Sequence, residues 1–157
     1  MIIFISGSIN SGKSTIAKIL AEKIKNSAVI EADSLREFIN FMPLKEAIPL
    51  NLENTVSLIK NFNARGLNCI IPYPLSQNNH DFLINNLNDI KDVYFFALNP
   101  SKSVALSNRG NRELNEQEKE RIEYHYSIGI NAPDFAQIID NSDLNPEETA
   151  LAIIDLL

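Results

Sequence analysis

The sequence predicts an α/β fold, a parallel sheet covered by helices, and three observations carry that expectation. Short apolar runs alternate along the chain with segments of helical spacing. The first apolar run, "MIIFIS", stops at a glycine-containing turn, "GSINSGKST", and a helical pattern follows at once. The length of 157 residues, with 45% apolar and 22% charged side chains, suits one globular domain spanning 1–157.

Each element has its own warrant. Residues 2–6 ("IIFIS") read as a buried first strand. From about Lys13 to Lys25, Ile16, Ile19, Leu20 and Ile24 recur at helical spacing. "AVIEA" (28–32) reads as a second strand and "SLREFINF" (34–41) as a short helix with Leu35, Phe38 and Ile39 on one side. The two prolines in 42–51 mark an irregular connection, and 52–66 is an amphipathic helix stopped by Gly66. "LNCII" (67–71) is the third strand, halted by Pro72 and Pro74. A helix over 78–90 precedes the fourth strand, "DVYFFAL" (92–98). The polar stretch 99–126 reads as two helices around a mobile joint at 108–113. "FAQIID" (135–140) is the fifth strand. The closing helix spans 145–157, with Pro146 in its first turn and Glu147 and Glu148 suited to the dipole there.

Bulk composition narrows the setting. A net charge of −6 argues against a general nucleic-acid binder, which carries a basic face. Cys69 is the sole cysteine, so no intrachain disulfide forms and a reducing, cytoplasmic compartment is expected. The opening residues lack a basic flank, and no apolar run approaches the ~20 residues that span a bilayer, so neither a signal peptide nor a membrane partner is expected.

Gly7-Ser-Ile-Asn-Ser-Gly12-Lys13-Ser14 has the spacing G-x-x-x-x-G-K-[ST] of a phosphate-binding loop, placed after a strand and before a helix. Glycines let successive backbone N–H groups turn inward on an anion at a helix N-terminus. Lys13 can then reach the β and γ phosphates, and the Ser14 hydroxyl can ligate Mg²⁺. Gly7, Ser8, Asn10, Ser11, Gly12, Lys13, Ser14 and Thr15 are therefore the nucleotide-binding candidates, with ATP and Mg²⁺ as cofactors. In "VIEADSLREF", Asp33 falls just past the carboxyl end of the second strand, where ligands gather in open parallel sheets. A carboxylate there could position or deprotonate an acceptor hydroxyl, with Arg36 binding a polar or anionic group. An N-cap on the next helix is the structural alternative for Asp33, and a solvated helix position that for Arg36.

The phosphate loop, the Asp33/Arg36 pair and the stretch "NRGNREL" together resemble the small P-loop kinases of the nucleoside-monophosphate-kinase-like group. That group includes shikimate, gluconate and adenylyl-sulfate kinases, chloramphenicol phosphotransferase and the kinase domain of phage-type polynucleotide kinases. The resemblance covers essentially the whole chain. It implies a three-layer P-loop NTPase fold with a five-stranded parallel sheet in the order 2-3-1-4-5, helices on both faces and a lid at about 108–120. It also implies that Asp33 serves the acceptor and that lid arginines close over the phosphates, Arg109 nearer the adenine and Arg112 nearer the transferred group. The stretch "IIDNSDLNPEE" resembles the adenine-lining loop of these kinases, which makes Asn141 and Ser142 candidate contacts beside the alternative of a helix-capping loop.

Three departures limit the resemblance. The acid that ends the third strand in many relatives is missing; "CIIPYPLSQ" stands there. Mg²⁺ then rests on Ser14, phosphate and water, or on Asp33 through water. The arginines expected near 52 and near 80 are replaced by "LNLEN" and "NNHDF", so an adenylyl-sulfate acceptor does not follow. Tyr73 is a candidate substrate contact and could wall an acceptor pocket with Phe38 and Phe41, although core packing is the better-supported reading of those two phenylalanines. His80 and His125 read as structural or surface residues and Cys69 as an inert core thiol.

The expected activity is ATP-dependent transfer of the γ-phosphate to a hydroxyl of a small molecule, with Lys13, Asp33 and Arg112 as catalytic residues and Asp33, Arg36 and Tyr73 holding the substrate. The alternatives are a nucleotide-binding regulatory protein without transfer and a polynucleotide 5′-hydroxyl kinase. The oligomeric state is not legible.

Overall fold

In the computed structural model, residues 1–107 and 113–157 are described. The lid arginines Arg109 and Arg112, and most of the joint expected at 108–113, lie outside the described residues.

Five strands, β1 (Ile2–Gly7), β2 (Ser27–Val29), β3 (Asn68–Pro72), β4 (Val93–Leu98) and β5 (Gln137–Ile139), form one parallel sheet in the order β2-β3-β1-β4-β5. Every residue of β1 is buried, because it pairs with β3 on one side and β4 on the other while helices cover both faces. A continuous apolar run is what such two-sided burial demands. The side chains of β1 divide by parity. Ile2 and Phe4 join Cys69, Ile71 and Phe95 beneath α3 (Leu44–Asn63) and α4 (Gln77–Asn86). Ile3 and Ile5 join Ile70, Phe96 and Leu98 beneath α1 (Lys13–Lys23) and α7 (Pro146–Ile154). The result is three layers. Two short helices, α2 (Ala32–Leu35) and α5 (Lys102–Ala105), and a longer one, α6 (Glu116–Ser127), complete the element order. Among the described residues no helix is long and apolar enough to cross a membrane.

Several boundaries differ from the sequence expectation, each for a physical reason. The segment 42–51, expected to be irregular, belongs to α3, which runs through Pro49. An interior proline costs a helix roughly 3 kcal/mol. Here Ala47, Leu52, Val56 and Ile59 form a buried stripe whose packing offsets that cost, and Pro49 itself is exposed. Pro72 ends β3 from within instead of lying beyond it. Cys69 N and Tyr73 N donate to Met1 O and Ile5 O of the β1 side, so position 72 directs its missing donor toward β2. That strand has already ended at Val29, and no ladder bond is lost.

The expected helix 34–41 is instead α2 followed by a 3₁₀ turn over Arg36–Ile39. Three residues per turn change the phase of the apolar side chains. Leu35 and Ile39 are half-buried, whereas Phe38 and Phe41 are 82% and 81% exposed, not in the core. The second strand is shorter than 28–32 because Ala32 already opens α2.

Cys69 is fully buried in the layer beneath α3, and burial pushes its thiol pKa up to about 11, as an inert core thiol requires. Ile59, 0% exposed in the same layer, supplies the fold's most direct stability test. Ile59→Ala is expected to cost about 2–5 kcal/mol in urea unfolding, with an unchanged m-value.

Candidate active site

All five strands deliver their carboxyl ends to one edge, and the candidate residues gather there. The phosphate loop leaves β1 at Gly7, whose φ is 131°. A Cβ at this position would lie 2.6 Å from the Leu98 carbonyl oxygen of β4, so glycine is the residue that fits. Gly12 precedes α1 with φ 100° and open space around it, and here backbone conformation alone selects glycine. Between them Asn10 adopts φ 62°, which asparagine tolerates. Its amide nitrogen donates to the carbonyls of Ala105 and Ser107, 2.9 Å each, tying the loop to the end of α5. The loop is thus formed by its own contacts. Lys13 donates to the Ser8 carbonyl at 2.6 Å, and Ser14 and Thr15 are exposed at the start of α1.

A cavity of about 550 Å³ opens against this loop, lined by Gly12 to Ile16 and by Asn141, Leu144 and Pro146 from the segment after β5. Asn141 is buried, and its amide nitrogen donates 3.0 Å to the Ser11 carbonyl, so it anchors the loop as well as bordering the cavity. Ser142 does not line that cavity. Its hydroxyl bonds Asp140 at 2.5 Å and accepts from Ser101 N, which is the contact set of a capped turn.

The carboxylate nearest Ser14 is one the sequence analysis did not assign. Glu31, directly before α2, accepts a hydrogen bond from the Ser14 hydroxyl at 3.2 Å. With no acid at the end of β3, the carboxylate that meets Ser14 comes from just past the end of β2. The signal was available, since Glu31 stands two residues before Asp33, but strand-end spacing alone does not say which acid turns toward α1. Asp33 lies in the first turn of α2, whose N-cap position is Glu31, so Asp33 does not cap that helix. It lines a second cavity of about 390 Å³ together with Ser34, Arg36, Ile39, Met42 and Ala47. Neither Asp33 nor Arg36 forms an ion pair among the described residues.

Tyr73 is 5% exposed and packs in the layer beneath α3, lining neither cavity. Burial holds its phenol above the ordinary pKa and the Asp33 charge adds to this, while the Asn51 amide, Arg36 and Arg121 pull it back. Asn51 is fully buried beside that phenol, yet neither amide atom completes a hydrogen bond among the described residues. Such an amide costs about 1–3 kcal/mol per unsatisfied group. Phe38 and Phe41, exposed as they are, do not wall the acceptor cavity with Tyr73.

His125 is a second residue that sequence reasoning missed. It lies on α6, is 5% exposed, and its Nδ1 sits 3.3 Å from the Ser8 hydroxyl within the phosphate loop. Burial, then the charges of Arg121 and Lys13, push its pKa down to about 4, so the ring is neutral near pH 7. Nothing in the sequence connects positions 8 and 125. His80 is structural as expected, stacked on Phe135 at 4.3 Å between ring centroids.

Two measurements test this geometry. Gly7→Ala is expected to lose at least ~2 kcal/mol of stability, since both φ and the Leu98 carbonyl oppose a Cβ, whereas Gly12→Ala meets backbone strain alone and loses less. For His125 the folded pKa of about 4 lies below the ordinary histidine value of 6.5, so the unfolded chain binds more protons between them. Stability is then complete above pH 6.5 and falls as pH drops toward 4. His125→Gln should remove a pH-dependent loss on the order of 2–3 kcal/mol, read as the urea midpoint at pH 7 and pH 4 in both proteins.

The family model described as Zeta toxin matches residues 1–65. No curated protein matches the chain. Among solved structures, the chain is similar to the tunicamycin resistance protein of Deinococcus radiodurans, at 23% identity and TM-score 0.69 over 99% of this chain and 94% of that one. It is similar to a sugar kinase from a Janibacter species, at 21% identity and TM-score 0.74 over 98% and 92%. It is also similar to the APS kinase of Mycobacterium tuberculosis solved with AMPPNP and APS, at 17% identity and TM-score 0.69 over 99% and 95%. At these identities the likeness is one of fold, and the chain has the three-layer P-loop fold of the small kinases.

Proposed function

We propose that residues 1–157 form one kinase-like domain that transfers the γ-phosphoryl group of ATP to a hydroxyl of a small molecule. The observation that carries this reading is the placement of two carboxylates on the edge that holds the phosphate loop: Glu31 at Ser14, and Asp33 in the neighbouring cavity. Backbone N–H groups of Gly7 to Ser14 bind the phosphates, and the Lys13 ammonium exchanges the Ser8 carbonyl for phosphate oxygens. The Ser14 hydroxyl and Glu31 carboxylate are hard oxygen donors that fit Mg²⁺, which binds through one or two carboxylates, phosphate oxygens and water. The ion would neutralise charge on the β and γ oxygens.

The acceptor enters the cavity at Asp33 and Arg36. Its oxygen forms a bond to the γ-phosphorus as the bridge to the β-phosphate breaks. ADP leaves with the bridging oxygen, and the acceptor proton passes to Asp33. Arg109 and Arg112 serve as lid cations in this reading. A cavity of about 390 Å³ falls within the range of small-ligand sites and supports a small acceptor.

The test is titration of ATP with Mg²⁺ into wild type and Lys13→Met, followed by ADP release with a panel of sugars, other hydroxyl metabolites and a 5′-hydroxyl oligonucleotide. Nucleotide binding is expected in wild type and lost in the variant. One acceptor class is expected to stimulate ADP release, and Asp33→Asn to lower that stimulated rate by about 10²–10⁴-fold. An unchanged rate in Asp33→Asn with its best acceptor overturns the assignment. Nucleotide binding with no acceptor response favours the regulatory alternative.

A further inference from the structure

The phosphate loop is held at Ser8, Ile9 and Asn10 by parts of the chain between 105 and 125. Asn10 donates to the carbonyls of Ala105 and Ser107, and Ile9 rests against the buried cluster of Ala105, Leu114 and Ile122. The Ser8 hydroxyl pairs with Nδ1 of His125 on α6 at 3.3 Å. Of the three, Ser8 is the residue whose carbonyl also holds Lys13, so it is the one that nucleotide binding disturbs.

Ser8 is fully buried, and both of its oxygens are engaged. The carbonyl accepts from Lys13 Nζ at 2.6 Å and, at the long distance of 3.4 Å, from Ser11 N. The ammonium assigned to the phosphates is thus also a support of the loop. Once it transfers to phosphate oxygens, the carbonyl keeps only the long bond from Ser11 among those described. The hydroxyl contact with His125 then becomes the firmer hold on Ser8. His125 is well placed to provide it. Its side chain is buried, its carbonyl accepts from Ile130 N at 3.1 Å, and the next residue, Tyr126, donates to the Pro100 carbonyl at 2.5 Å. The charges that act on the ring are Arg121 on its own helix and Lys13 on α1, and with burial they keep it uncharged. Such a ring steadies Ser8 in either tautomer and adds no cation beside Lys13. His125 lines neither the loop cavity nor the Asp33 cavity, so it has no place among the catalytic groups.

We propose that His125 is a positioning residue for nucleotide binding: it holds Ser8, and with it the entry of the phosphate loop, while Lys13 moves from the Ser8 carbonyl to the phosphates. The proposal rests on the nucleotide reading of the loop. His125 acts through Ser8 and touches no reacting atom. Its contribution is preorganisation, since a loop whose first residue stays fixed keeps its amides aimed at the anion.

A mutant cycle read in ligand affinity separates this role from a merely structural contact. The non-hydrolysable β,γ-imido analogue of ATP, with Mg²⁺, is titrated into wild type, Ser8→Ala, His125→Leu, the double variant and His125→Asn. Loss of this one hydrogen bond should weaken binding about three- to tenfold in Ser8→Ala and in His125→Leu, and the double variant should be no weaker than either. His125→Asn can set a polar atom near the Nδ1 position and should recover most of the affinity. A structural role alone would lower the urea midpoint of His125→Leu and leave analogue affinity unchanged. Unchanged affinity in either single variant, losses that add in the double variant, or His125→Asn as weak as His125→Leu overturns the proposal and leaves the nucleotide site in place. Should His125→Leu fail to fold, Ser8→Ala and His125→Asn decide, and unchanged affinity in the first or a full loss in the second overturns it. Failure of wild type to bind the analogue would instead overturn the nucleotide reading, and this proposal with it.

Discussion

The close approach of the Gly7 backbone to the Leu98 carbonyl oxygen is the constraint on which the rest of the site depends. β1 is the central strand, buried on both faces, and its last residue lies against the last residue of β4. No side chain fits between them. The chain must therefore turn at this point, with a backbone conformation that L-residues avoid. That turn aims the following amides at the sheet edge. Were β1 one residue longer or its neighbour less close, the start of α1 would lie elsewhere and Ser14 would not meet Glu31.

From that turn the site is assembled by strand ends rather than by one continuous segment. The turn after β1 supplies the loop, the segment after β2 supplies Glu31 and Asp33, and the segment after β5 supplies Asn141, while Tyr73, just past β3, packs beneath α3. A parallel sheet brings all these ends to one side, which lets short stretches far apart in sequence meet at one edge. The cost is polar groups held in a tight space. Ser8 and the Asn141 amide nitrogen meet theirs through His125 and the Ser11 carbonyl, whereas among the described residues the Asn51 amide, the Ser11 hydroxyl and the Asn141 amide oxygen have no hydrogen-bond partner. A structure selected for stability alone would have filled these positions with apolar side chains.

Helix α6 links this edge to the segment before it. Its own ion pairs and capping box hold it together as a helix, but burial of Ile122 and His125 decides which way it faces. The same docking turns a neutral imidazole onto Ser8. Charge on this helix is therefore sorted by position. Glu116 and Glu123 are bound to lysines and Glu118 to the helix end.

Much of this was legible in the sequence. The continuous apolar run of β1, the glycine spacing of the loop and the alternation of strands with helices all follow from local rules of burial and backbone conformation. Gly7 and Lys13 were readable for that reason, and Asp33 as a residue of the β2 end. Tertiary structure decided the rest. α3 runs through Pro49 because its buried stripe outweighs a local penalty that sequence reading takes at face value. Phe38 turns outward because a 3₁₀ turn shifts the phase by which its face was judged. Glu31 rather than Asp33 meets Ser14, and His125 meets Ser8 across 117 positions, because those contacts depend on how α1, α2 and α6 are rotated against the sheet. Local sequence determines which elements form and where glycine is required. The rotation that aims each side chain is set by packing between distant segments, and only the folded chain contains it.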